Sequence, residues 1–79
     1  MNPELEKIFA SDLPDIEKLA QAYALIVRQH MDDARNEVEL HRAMGDETEA
    51  VKTQVKMSTL EYTLGVMTYC HDMITRKKV

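Results

Sequence analysis

Apolar residues recur at three- and four-residue steps along almost the whole chain, which is the period of an α-helix, and strand-like alternation is nearly absent. The pattern divides into three segments. In the first, Leu5, Ile8 and Phe9 share a side; Asn2 suits a cap, Pro3 the first helical turn, and Glu4 and Glu6 the positive helix end, which predicts a short helix over 3–10. Ser11-Asp12-Leu13-Pro14-Asp15 interrupts it, with Asp12 as the expected cap and Pro14 within the first turn of a long helix over 13–43. That helix carries Ile16, Leu19, Ala20, Tyr23, Ile26, Val27, Met31, Ala34, Val38 and Met44 on one arc. Its opposite side is polar except for Leu25 and Leu40. Gly45 suits a left-handed turn, while Asp46 and Glu49 have capping-box spacing, so a third helix is expected over 47–77, with Arg76-Lys77-Lys78 at its negative end.

The third segment differs from the second in having two apolar stripes. Val51, Val55, Tyr62, Val66, Tyr69 and Met73 form one row; Met57, Leu60, Leu64, Met67, His71 and Ile74 form another, about 150° away at about 100° per residue. A helix that packs on one neighbour needs a single stripe. The expected arrangement turns the Val51–Met73 row toward Tyr23, Val27, Ala34 and Val38 inside a helical hairpin. The Met57–Ile74 row is then left for a second copy or a partner. Leaving its large side chains in water would forgo about 1.5–3 kcal/mol each, which is large beside the stability of a small domain. The fold class is therefore all-α: an antiparallel hairpin with a short N-terminal helix, assembling into a homo-oligomeric bundle. Ser58 and Gly65, on the Val51–Met73 side, permit close helix approach.

Length makes that assembly more pressing. A single domain of 79 residues sits near the lower limit at which one core suffices, and Cys70 is the only cysteine, so no internal disulfide can help. A reducing, cytoplasmic setting is expected. The opening Met-Asn-Pro-Glu-Leu-Glu has acids and no apolar run, so no secretory leader is expected, and no stretch approaches the about 20 apolar residues that span a bilayer. The net charge of −4 argues against nucleic-acid binding. Residues 1–43 hold nine acids and five bases, and residues 44–79 five of each, so the whole excess lies in the first half.

Candidate chemistry is sparse. His30, Glu37 and His41 offer metal or haem ligands on one side of the second helix. However, the Glu-x-x-x-His spacing differs from the Glu-x-x-His of di-iron bundles, and His30 and His41 are about 16 Å apart along the axis. Cys70 and His71 are adjacent, point about 100° apart, and do not make a nucleophile–base pair. Phosphate loops, CxxC pairs and paired catalytic acids are missing from the sequence. Neither an enzyme nor a cofactor is expected.

The remaining expectation is a small non-enzymatic regulator that binds itself and another protein. Its interface residues would be Met57, Leu60, Leu64, Met67, His71 and Ile74, with Leu5, Ile8 and Phe9 as a second hydrophobic group. Small size, acidity and surplus helical surface give it the style of phage or mobile-element antagonists of a repressor or host factor, although no motif specifies that group. A helical-hairpin chaperone shielding a client segment, similar in outline to type III secretion co-chaperones, is the alternative. A metal- or haem-binding bundle is a third reading.

Overall fold

A computed structural model describes residues 2–77, which form three helices and no strand: α1 (Pro3–Ala10), α2 (Asp15–Ala43) and α3 (Glu47–Lys77). The expected all-helical hairpin is present, with α2 and α3 antiparallel and packed on each other. Lys78 lies outside the described residues.

Local hydrogen bonding explains where each helix starts and stops. The Asn2 side-chain oxygen accepts from the backbone N–H groups of Glu4 and Leu5 at 3.0 and 3.4 Å, and its amide donates to Gln29 Oε1 at 2.9 Å. One side chain thus caps α1 and ties it to the middle of α2. Ser11 closes α1 by donating both its N–H and its hydroxyl to the Ile8 carbonyl. Asp12 does not cap α2, which begins only after Pro14 and without a side-chain cap. The proline ring disfavours helical geometry at Leu13, and Pro14 itself is extended at φ −57, ψ 153. The first α2 bonds, from the Glu17 and Lys18 amides, therefore end on the Pro14 carbonyl.

The hairpin turn is a Schellman motif. Gly45 adopts φ +77, its N–H donates to Arg42 O at 3.0 Å, and the Asp46 N–H donates to His41 O at 2.8 Å. Asp46 then caps α3 by accepting the Glu49 N–H at 3.1 Å. The reciprocal half of the expected capping box is not made. The Asp46 N–H is already committed to His41, and the Glu49 carboxylate pairs with Lys52 at 3.2 Å instead.

The helices lie in one layer. The α1 helix packs on α2, and α2 on α3, giving a Cα envelope of 51 × 28 × 10 Å and a radius of gyration of 16.0 Å. A compact chain of this length has a radius of gyration of about 12 Å. Among the described residues only Val27, Ala34, Val38, Ala50 and Thr53 are buried, and no large side chain is fully enclosed. The Thr53 hydroxyl is satisfied by donation to Glu49 O at 3.0 Å. The accessible surface is 5890 Å², whereas about 4,900 Å² is expected for a compact monomer of this mass. Among the described residues no helix is long and apolar enough to cross a membrane.

Ala50 is 0% exposed while its neighbour Val51 is 57% exposed. Ala50→Leu is therefore expected to lower stability by about 1–3 kcal/mol through overpacking, and Val51→Leu, an exchange of one apolar side chain for another on the outer row, to change it by less. Urea unfolding at one fixed protein concentration checks this. Equal effects at the two positions would place α3 in the wrong rotational phase.

Candidate functional site

The two stripes of α3 are exchanged relative to expectation. Met57, Leu60, Leu64, Met67 and His71 are half-buried on the side turned to α2, in line with the buried Ala50 and Thr53. Val51, Val55, Tyr62, Val66, Tyr69 and Met73, expected inside the hairpin, are instead exposed, by between 41% and 75%. Packing at the turn accounts for the exchange. Where Gly45 brings the helices together, the α2-facing positions of α3 are the small residues Ala50 and Thr53, and the phase they fix carries Met57 to His71 inward at steps of three and four. Ile74, at the far end of the inner row, stays 44% exposed. The surface left over by the hairpin is therefore the Val51–Met73 row.

His71 ends the inner row with a specific bond. Its Nε2 is 2.8 Å from Glu17 Oε1, across 54 residues of sequence, and its Nδ1 is 3.7 Å from Asp72 Oδ1. The pair joins the end of α3 to the start of α2 and lines a shallow groove of about 490 Å³ with Ile8, Ala24, Leu25 and Arg28. Leu25, on the otherwise polar side of α2, is half-buried there. Leu40, its counterpart in sequence, remains 57% exposed.

A second groove, of about 330 Å³, lies between α1 and α2 and is lined only by Leu5, Phe9, Leu19, Ala22, Tyr23, Ile26 and Val27. Leu5 and Phe9 reach this groove, whereas Ile8 belongs to the His71 side. Phe9 and Leu19 are 51% and 58% exposed. On the same side of α2, exposed Asp15 stands about one turn before Leu19, and exposed Asp33 and Glu37 stand about 10 and 16 Å beyond Ile26 at about 1.5 Å per residue. Tyr23, expected to face α3, forms part of this wall. Its signal was in the sequence: Tyr23 stands three and four positions from Ile26 and Leu19, on a flank that Leu5 and Phe9 could reach.

The metal candidates are not brought together. His30 and Glu37 are exposed, and His41 is half-buried near the turn with a buried Nδ1 that takes no hydrogen bond. Among the described residues no three His, Cys, Asp or Glu side chains are grouped to hold a metal ion. Cys70 is a free, exposed thiol.

Comparison with family models, with curated proteins and with solved structures gives no match for this chain.

The Glu17–His71 bond is expected to contribute about 0.5–1.5 kcal/mol. Glu17→Ala and His71→Ala should each lower the urea midpoint. The double variant should be less destabilised than the sum of the two, as direct partners require; strict additivity would show that the two side chains do not interact.

Proposed function

We propose that the protein is a non-enzymatic regulator that associates with itself and acts by occupying another protein. The observation that carries this reading is the α1–α2 groove, apolar throughout its lining, with exposed carboxylates farther along the same side of α2. Such a surface fits an amphipathic helix whose apolar face is flanked by Lys or Arg: burial of the apolar face supplies affinity, and the flanking charges supply orientation and rate. The net charge of −4 in residues 1–43 extends the same preference over the elements that build the groove. A basic partner of this kind is in keeping with antagonism of a DNA-binding repressor or a host factor. Self-association rests on the exposed α3 row and on the scarcity of buried side chains in the single chain.

Capture from lysate of the native cell, comparing wild type with Phe9→Asp/Leu19→Asp, tests the groove. Both positions are exposed, so the variant should keep its helix content. A protein retained by wild type, lost with the variant and weakened by added salt is the expected result. Retention of the same protein by both forms, or of none by either, would contradict the reading.

A further inference from the structure

The spacing of the outer row of α3 is the same in both directions about Tyr62. Counting Ser58 with it, the steps from Val51 to Met73 are four, three, four, four, three and four residues. We propose that this row is the seam of an antiparallel α3–α3 pairing between two copies of the chain, with the two-fold axis at Tyr62. A two-fold antiparallel contact places residue i against the residue equally far on the other side of the axis. Here that sets Val51 against Met73, Val55 against Tyr69, Ser58 against Val66, and Tyr62 against itself. A parallel pairing would face every residue with its own copy and would require no such symmetry.

Sterics, charge and area agree with this occupant. Tyr62 is 75% exposed, and the small residues Ser58 and Gly65 stand beside it, with nothing within 4 Å of the place where a Cβ on Gly65 would lie. That leaves space for two phenol rings at the axis. The row itself contains no charge. Antiparallel pairing sets the positive end of each α3 beside the negative end of its mate and brings Glu47 of one copy level, to within one residue, with Arg76 of the other. On the flank, the Thr59 and Thr63 hydroxyls already donate to Val55 O and Thr59 O at 3.0 and 2.9 Å, so they need no partner across the seam. The chain's excess surface, about 1,000 Å² over a compact monomer, matches the about 800 Å² that each side of a standard interface removes.

This inference rests on the self-associating part of the proposed function and leaves the α1–α2 groove free. Cysteine cross-linking in a Cys70→Ala background tests it. Under mild oxidation, Tyr62→Cys alone should give a covalent dimer. Val55→Cys and Tyr69→Cys should each give no covalent dimer alone and should cross-link when the two proteins are unfolded together and refolded as a mixture. In the antiparallel seam two copies of position 55 are about 21 Å apart along the axis at 1.5 Å per residue, beyond the reach of a disulfide. All three positions are exposed, and retained helical circular dichroism shows that each variant is folded. Self-cross-linking of Val55→Cys, or no dimer from Tyr62→Cys, would overturn the seam. Loss of the cross-links with continued groove-dependent capture of another protein would overturn the seam alone. Cross-links without such capture would overturn the regulatory reading alone.

Discussion

The phase in which α3 leaves the Gly45 turn decides which of its two apolar stripes meets α2 and which is left outside. Two backbone bonds and one side-chain cap set that phase: the Gly45 N–H donates to Arg42 O, the Asp46 N–H to His41 O, and the Glu49 N–H to the Asp46 carboxylate. Ala50 and Thr53 are the first residues α3 turns to α2, and their small volume lets the helices approach where the turn forces them together. From there the helical period carries Met57, Leu60, Leu64 and Met67 inward and ends on His71, where the Glu17 carboxylate closes the hairpin at its open end. The outer row follows from the same phase, since it lies on the opposite side of the cylinder.

Much of this layout is written in local signals. Asn2 and Pro3 and the Gly45-Asp46 pair mark boundaries because capping and turn geometry depend on a few residues close in sequence. Asp12 misled because the restriction that Pro14 places on Leu13 outweighs a good capping residue farther upstream. The stripe of α3 that meets α2 was not legible from apolar content, as both stripes are rich in large apolar residues and either could fill a hairpin. What separates them is steric and non-local: Ala50 and Thr53 beside the turn, and a histidine that finds its carboxylate 54 residues away. The same non-locality hid the α1–α2 groove. Leu5 and Phe9 become one surface with Leu19 and Ile26 only once the Asn2–Gln29 bond has laid α1 along α2.

A single layer of helices is an incomplete domain, because each helix buries its apolar surface only against a neighbour and stable folds use at least two packed layers or closed bundles. The described residues form three helices in a slab whose Cα atoms span 10 Å in the thin direction, and the buried set among them is limited to small and β-branched residues. The surplus is organised into an uncharged row of symmetric spacing along one edge and, on another part of the chain, an apolar groove with acids farther along the same side of α2. The two surfaces suit different occupants: a row of symmetric spacing suits a copy of itself, and a groove on a helix side that carries negative charge suits a basic helix.

The mass of the protein in solution tests this most directly. Sedimentation equilibrium of the wild-type chain should give twice the 9.1 kDa of one copy, with Tyr62→Glu shifting the mass to that of a single chain. A wild-type protein that is fully helical, unfolds cooperatively and sediments as a 9.1 kDa monomer would contradict the claim that a second copy covers the outer row of α3.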